Sequence, residues 1–184
     1  MPCGARDVLA RSVRWQHRSG PGILCGCARA GRPRRYRVVG RTVPDLVGFS
    51  HIDLTVTDCE RSAAWWQEVL GFRLMTHTED ESFDVWALRH RSGVVVDVMT
   101  HQETPHERFD ERRVGLDHFS LQVADREELE RWVEHLDGCG VAHSGIIDAT
   151  WGPTVVFRDP DNIQLELFVH PTPREVAERL AEQG

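Results

Sequence analysis

An α+β fold built from two tandem βαβββ modules is predicted by three observations on this 184-residue sequence. A strand with alternating apolar and polar residues is followed by a capped, amphipathic helix. Three further strand-like runs come after that helix. The whole series then occurs a second time along the chain, and an internal repeat of this kind indicates a duplicated structural unit.

The first copy begins near Val47 and alternates in polarity up to residue 57. Asp58 stands where it would cap the helix that follows, and Gly71 stands where it would end that helix. The predicted elements are a strand over 47–57, a helix over 61–70, and strands over 72–78, 83–90 and 94–101.

The second copy begins at Gly115 and repeats the same order. Asp125 takes the capping position, and Gly138 is predicted to end the helix. The predicted elements are a strand over 115–123, a helix over 127–136, and strands over 141–148, 153–158 and 163–169. Between the two copies, residues 102–113 are expected to form a charged, solvated connector, with a position at the border of the cleft as the alternative.

The two copies align at an offset of 67 residues through their helices and of 69 residues in their last strands. The first offset pairs His51 with His118, and the second pairs Asp97 with Glu166. Both copies therefore carry a histidine in the first strand and a carboxylate in the last strand.

Strand polarity predicts where these groups point. His51 lies on the side of its strand opposite to Leu54, and Glu166 lies opposite to its neighbours Leu165 and Leu167. A carboxylate in such an apolar run is costly unless it is solvated, paired or bound to a metal ion. We therefore expect each sheet to have one apolar face under its helix and one polar face, and we expect the polar faces to form a shared cleft.

Two imidazoles and one carboxylate in this polar set predict a divalent metal site made of His51, His118 and Glu166. Such ligand sets with open positions bind Fe, and similar sets bind Ni, Zn, Mn or Co. Asp97, the repeat mate of Glu166, is a candidate fourth ligand, although its side chain is one methylene shorter. The predicted substrate-binding residues on the same faces are Asp53, Thr55, Met99, Ser120 and Gln122.

Four motifs within residues 47–170 together resemble the vicinal oxygen chelate superfamily. They are His51-Ile-Asp-Leu-Thr-Val-Thr-Asp58, Trp65-Trp66-Gln-Glu-Val-Leu-Gly71-Phe72, Gly115-Leu-Asp-His118 and Phe157-Arg-Asp-Pro-Asp-Asn-Ile-Gln-Leu-Glu166-Leu. This superfamily includes glyoxalase I, extradiol dioxygenases, fosfomycin-resistance thiol transferases and bleomycin-binding proteins. The resemblance implies curved sheets that enclose a metal ion, chelation of vicinal substrate oxygens by that ion, and a homodimer.

Two functions remain open at this point. The first is a divalent-metal-dependent enzyme, either a glyoxalase-like lyase or isomerase or a dioxygenase, that acts on a small oxygen-rich substrate. Glu166, or His101 or His170 from the polar faces, would then move a proton. The second is a metal-free protein that binds a small molecule or an antibiotic, as bleomycin-resistance proteins do. Extradiol dioxygenases use a tyrosine near the substrate, whereas the single tyrosine here, Tyr36, lies outside the modules.

The chain is expected to divide into an Arg-rich leader, two modules and a short C-terminal helix or tail. The expected ranges are 1–46 for the leader, 47–170 for the domain with modules at 47–101 and 114–169, and 171–184 for the tail. Residues 1–44 hold ten Arg and one Asp (+9), and the other 140 residues hold 12 Arg and 28 acidic residues (−16), which gives −7 in total. The acidic body argues against nucleic-acid binding by the folded domain.

The leader is expected to be disordered, with an organelle transit peptide or a nucleic-acid-binding arm as alternatives. No run approaches the ~18 apolar residues of a membrane span, and no apolar signal-peptide core is present. Five cysteines, an odd number, do not suggest a disulfide framework. We therefore expect a cytoplasmic protein with a small-molecule substrate and no membrane partner.

Overall fold

A computed structural model describes residues 45–105, 107–149, 151–172 and 176. The expectations for the Arg-rich leader and for most of the C-terminal tail fall outside these residues. Within them, the predicted α+β fold of two βαβββ modules is confirmed, with one four-stranded mixed sheet and one helix in each module. Among the described residues, no helix has the length and apolar character needed to cross a membrane.

The first module forms a sheet with the strand order β1-β4-β3-β2. Its elements are β1 (Ile52–Thr55), α1 (Cys59–Leu70), β2 (Arg73–Glu79), β3 (Phe83–Arg89) and β4 (Val95–His101). The edge strand β1 runs parallel to β4, in a register that places Asp53 beside Asp97. Parallel neighbours need a crossover connection, which α1 and the β2–β3 hairpin supply.

The second module repeats this topology with the strand order β5-β8-β7-β6. Its elements are β5 (Phe119–Val123), α2 (Arg126–Gly138), β6 (Ile147–Ala149), β7 (Gly152–Arg158) and β8 (Gln164–Val169). The edge strand β5 runs parallel to β8 and places Ser120 beside Glu166. β6 is shorter than the predicted run over 141–148, because Gly145 has a left-handed backbone (φ 72°) that interrupts the extended chain.

Side-chain caps determine where both helices begin. Asp58 accepts a hydrogen bond from the backbone N–H of Arg61 (2.9 Å), and Asp125 accepts the equivalent bond from Glu128 (2.8 Å). These bonds satisfy backbone donors that have no partner in the first helical turn. α1 ends at Gly71, as predicted, with φ 71°.

α2 ends at Gly138, as predicted, but without a left-handed backbone at that residue. Gly138 is the last residue inside the helix, and the left-handed residue is Gly140, with φ 69°. Gly71 forms the C-cap of α1, and the 67-residue offset aligns it with Gly138. The caps are not equivalent, because α2 has 13 residues and α1 has 12. The repeat therefore predicts the start of the second helix better than its C-cap.

Alternate burial along β1 and β8 confirms the predicted faces of these strands. In β1, Leu54 is buried, whereas its neighbours Asp53 and Thr55 are exposed, as is His51 just before the strand. In β8, Leu165 is buried, whereas Glu166 is only partly buried. The apolar faces of both sheets and the inner sides of both helices form one continuous hydrophobic core.

The helices α1 and α2 form a layer shared by the two modules. The ring of Trp65 in α1 packs against Phe157 of the second sheet, with centroids 6.3 Å apart. Phe157 pairs with the buried Leu165, so this contact lies on the helix-covered face. The ring of His135 in α2 is 2.8 Å from the backbone oxygen of Val69 in α1. Each polar face is therefore the side of its sheet that is turned away from the shared helices.

Asp161, in the turn before β8, joins the second module to the start of α1. Its buried carboxylate accepts hydrogen bonds from the backbone N–H of Thr57 (3.1 Å), from the hydroxyls of Thr57 (2.5 Å) and Ser62 (3.3 Å), and from Arg61 (2.8 Å). Burial alone would raise the pKa of Asp161, but the bonds from Thr57 and Arg61 outweigh it and lower the pKa. In the same turn, burial raises the pKa of Asp159 to about 7.

Candidate metal centre

His118 and Glu166 meet on the polar face of the second sheet. His118 lies immediately before β5, and Glu166 lies in β8, the strand paired with β5. Nε2 of His118 is 3.4 Å from Oε2 of Glu166. The side chains are 42% and 14% exposed, respectively, so the pair is open on its polar side while the sheet fixes the backbone beneath it.

Neighbouring polar groups orient this pair. Thr154 in β7 donates its hydroxyl to Oε1 of Glu166 (2.7 Å), which leaves Oε2 to face His118. A carboxylate oxygen of Asp117 lies 2.6 Å from Nδ1, the other ring nitrogen of His118. Histidines that bind metals are commonly oriented by a carboxylate in this way.

The pair also shifts the pKa values of its members. The hydrogen bond with Glu166 raises the pKa of His118 to about 9 despite the opposing effect of burial, and Asp117 adds to the rise. Burial would raise the pKa of Glu166, but hydrogen bonds from His118, Thr154 and Ser120 lower it overall. Near neutral pH, the pair is therefore an imidazolium and a carboxylate.

His51, Asp53 and Asp97 form a second cluster, on the polar face of the first sheet. One ligand atom from each lies within 4.8 Å of the others. Nε2 of His51 is 3.8 Å from Oδ1 of Asp53, and Asp53 lies beside Asp97 in the parallel register. Burial, and after it the charge of Asp53, raises the pKa of Asp97.

The donor atoms of both clusters fit a divalent cation. Oδ1 of Asp97 is buried and has no hydrogen-bond partner among the residues that the structure describes. Such an oxygen carries a desolvation cost, which coordination of a cation would offset. Imidazole nitrogen and carboxylate oxygen are the ligands that Zn, Fe, Ni, Mn and Co accept in mixed N/O sites.

The two clusters are not joined within one chain. Across the part of the chain that the structure describes, His51, Asp53 and Asp97 are the only group of three or more His, Cys, Asp or Glu with ligand atoms mutually within 4.8 Å. The predicted triad of His51, His118 and Glu166 is thus not assembled in the single chain. The shared helical layer explains this separation, because each polar face is turned away from it.

The predicted substrate-binding residues lie on these polar faces. Thr55 stands beside Met99 in the pairing of β1 with β4. Ser120 stands beside Glu166, and Gln122 lies two pairs further along the same edge strand, beside Phe168. The structure therefore groups each of them with the cluster of its own module.

His101 and His170 lie at the far ends of their strands and are exposed. Each is four residues beyond a predicted ligand, Asp97 or Glu166, which corresponds to roughly 13 Å at about 3.3 Å per strand residue. They can therefore reach only a substrate that extends along the strand.

Sequence reasoning did not identify Asp53 as a candidate ligand or Thr154 as the partner of Glu166. Alternation places Asp53 on the polar face, but only the parallel register shows that it stands beside Asp97. Thr154 pairs with Phe168 and reaches Glu166 diagonally across the strands. Cross-strand register is the signal that would have found both residues.

A family model for the Glyoxalase/Bleomycin resistance protein/Dioxygenase superfamily matches residues 48–167. The match includes both modules and all four predicted ligand positions. The chain belongs to this superfamily. Because one fold can host unrelated chemistries, membership of the superfamily establishes the fold and leaves the reaction open.

Three relatives illustrate the range of the superfamily. MhqA of Bacillus subtilis (strain 168), whose name describes a ring-cleaving dioxygenase, is 24% identical over 186 residues, which cover 97% of this chain and 57% of MhqA. This chain therefore spans little more than half the length of MhqA. A glyoxylase/bleomycin resistance protein/dioxygenase domain from Frankia sp. EAN1pec is 30% identical, with a TM-score of 0.65 over 69% of this chain and 100% of that domain.

The third relative is the fosfomycin resistance protein FosX from Listeria monocytogenes, in a crystal structure with Mn(II) and sulfate. It is 22% identical, with a TM-score of 0.54 over 72% of this chain and 99% of FosX. At this level of identity, the likeness shows the fold alone.

Proposed function

We propose that this superfamily member is a divalent-metal-dependent enzyme that acts on a small, oxygen-rich substrate by lyase, isomerase or dioxygenase chemistry. The observation that carries the proposal is the His118–Glu166 pair, in which Thr154 fixes one carboxylate oxygen and the other lies 3.4 Å from the imidazole. Two donor atoms bonded to one divalent ion at about 2.0–2.2 Å stand roughly 2.8–3.6 Å apart. The pair thus has the spacing of two ligands of one ion.

The first module supplies the other donors in this proposal. His51 is the third ligand, and Asp97 is the fourth, supported by its buried oxygen that has no partner among the described residues. Asp53, beside both, adds a further carboxylate. The structure of the related FosX holds Mn(II), which supports a divalent cation as the type of cofactor.

We infer that two copies of the chain form each centre. A second copy that sets the polar face of its first module against the second module of its partner would bring His51 to His118 and Glu166. β1 and β5 are both edge strands, which commonly pair with another chain. The exposed side chains of Phe49 and Val114, which precede these strands, add apolar surface for such a contact.

The chemistry would be divided between the ion and the protein. A divalent ion supplies Lewis-acid stabilisation of negative charge on two substrate oxygens. Thr154 keeps the carboxylate of Glu166 in one orientation, and Glu166 accepts or returns the substrate proton. For a longer substrate, His101 or His170 takes the proton instead. Residues on the polar faces, such as Ser120 and Thr55, contact the rest of the substrate.

Replacing His118 and Glu166 together by alanine should abolish stoichiometric metal binding. The full chain is stripped with a chelator, reconstituted with Fe, Ni, Zn or Mn, and its metal content is measured by mass spectrometry. The wild type should hold about one ion per chain, and the double variant almost none, because its second module keeps no ligand. The matched control is His77→Ala/Asp84→Ala, a histidine–carboxylate pair with a 2.7 Å contact outside the candidate centre.

The control should keep its full metal content. Near-zero metal in the wild type after reconstitution with each ion would contradict the enzyme proposal and leave the metal-free binding protein as the better account. Unchanged metal in the His118/Glu166 variant would contradict these two ligands.

Mixing two impaired single variants tests whether the centre is shared between chains. His51→Ala removes a ligand from the first module, and Glu166→Ala removes one from the second. In a mixed dimer, one centre combines both intact modules and the other combines both altered modules. Random mixing makes about half of the dimers mixed, so about one quarter of the wild-type metal content should return after the variants are refolded together.

The reference for this experiment is each variant refolded alone at the same total concentration. A metal content equal to the average of the two separate samples would contradict a centre shared between chains.

A further inference from the structure

A cavity of about 280 Å³ lies between the end of β1 and the connector that links the modules. Its volume is just below the ~300–1,000 Å³ of ordinary small-molecule pockets, so it suits a compact ligand. Part of its wall is apolar, and part is polar or charged. The residues that define it are Val56, Phe109, Leu116, Thr55, Arg108 and Asp161.

The connector wall of this cavity is fixed to the second module. The backbone N–H of Phe109 donates to the backbone oxygen of Asp161 (2.9 Å), and the side-chain amide of Asn162 donates to the backbone oxygen of Phe109 (2.7 Å). Two residues further on, Glu111 makes a two-pronged ion pair with Arg158, with both contacts at 3.0 Å. The connector is therefore partly buried around Phe109 and Glu111, and this wall of the cavity is preformed.

One positive charge on the cavity wall is not compensated. The other charged residues that line it have counter-charges: Glu107 pairs with Arg113, Asp110 with Arg112, and Asp161 with Arg61. Arg108, in contrast, has no hydrogen-bond or ion-pair partner among the residues that the structure describes. One unpaired guanidinium balances a single negative charge and can bind a carboxylate through two N–H groups, so the cavity suits a carboxylate ligand.

The cavity also reaches the polar face of the first sheet. Thr55 lines the cavity and lies on the same side of β1 as Asp53 and His51. It is two residues from Asp53, or roughly 7 Å along the strand. A ligand that fills the cavity would therefore end close to the cluster of His51, Asp53 and Asp97.

We propose that this cavity binds the carboxylate end of a compact, partly apolar organic monoanion, with Arg108 as its counter-charge. Phe109 and the partly exposed Leu116 contact the apolar body of the ligand. The opposite end of the ligand points along β1 toward the candidate metal ligands, so the substrate class is a small carboxylic acid with further oxygens. Only this last step rests on the proposed function.

Titration of the full-length protein with benzoate and with its neutral analogue benzamide tests the site. The experiment is done in the presence of a chelator, so that it does not depend on metal, and binding is followed by ligand-observed NMR. The wild type should bind benzoate about tenfold more tightly than benzamide, and Arg108→Gln should remove most of this difference. Arg108 is exposed, so the variant should fold, which an unchanged thermal midpoint will verify.

The matched control is Arg73→Gln, which removes an equally exposed arginine that has no described partner and lies outside the cavity. It should bind benzoate as the wild type does. Equal affinity of the wild type for both ligands, absence of benzoate binding, or an equal loss in both variants would overturn the proposal. Because this titration excludes metal and the metal-content experiment excludes benzoate, each proposal can fail while the other stands.

Discussion

Replacing Asp161 by alanine should lower the free energy of unfolding by about 3 kcal/mol, the lower end of the range for breaking a buried ion pair. The carboxylate is buried and accepts four hydrogen bonds from Thr57, Arg61 and Ser62. Its loss would leave the backbone N–H of Thr57 and the hydroxyl of Ser62 without an acceptor. The lower end applies because the side chain of Arg61 is 48% exposed and can be hydrated when its partner is removed. Urea unfolding, followed by tryptophan fluorescence, measures the change.

The control for this variant is Asp148→Ala, which removes a 70% exposed carboxylate that pairs with Arg126 on the surface of the second module. Such exposed pairs contribute at most about 1 kcal/mol. An Asp161→Ala protein that unfolds at the same urea concentration as the Asp148→Ala protein would refute the role of Asp161 as a contact that holds the modules together.

Replacing Gly152 by alanine should cost about 3–4 kcal/mol, because two separate penalties fall on this residue. Its φ of 154° is unfavourable for any residue with a Cβ atom. A Cβ atom would also stand 2.2 Å from the backbone oxygen of Val169 and 3.0 Å from the ring of Phe168. That backbone oxygen belongs to β8, so relief would require the strand that carries Glu166 to shift.

Gly138→Ala is the matched control, because it makes the same chemical change in an open environment. Apart from its chain neighbours and the backbone of its own helix, no described atom lies within 4 Å of a Cβ built at Gly138, and this residue is helical. The control should be neutral or stabilising by up to ~0.5 kcal/mol, since alanine loses less entropy on folding than glycine does. If the two variants had the same urea midpoint, the steric account of Gly152 would be wrong.

Most of the fold could be predicted from the sequence because local signals and the repeat agree. Asp58 and Asp125 cap the two helices, and the alternation around Leu54 and Glu166 gives the two faces of each sheet. The arrangement of the modules could not be predicted in the same way. Alternation tells which face is apolar, but it does not tell that Trp65 would pack on Phe157 of the other module and thereby turn both polar faces outward.

The candidate site could likewise be predicted from the sequence only in part. Residue type and repeat position select His118 and Glu166, which the structure brings to 3.4 Å. The grouping of His51 with Asp53 depends on a strand register, and the support from Thr154 depends on a diagonal contact. From the sequence, Asp161 can be predicted only to lie in a turn. Its contacts could not be predicted, because its partners in α1 lie about 100 residues away along the chain.

In the proposed assembly, metal binding depends on the concentration of the chain, because the polar faces point outward and two chains are needed for each centre. When two chains complete one centre, the ion stabilises the dimer, and by reciprocity the dimer raises the affinity for the ion by the same free energy. Dilution below the dissociation constant of the dimer would therefore release metal even at a constant concentration of free ion. The amount of metal-loaded protein in a cell would then rise more steeply than in proportion to the amount of chain that is made.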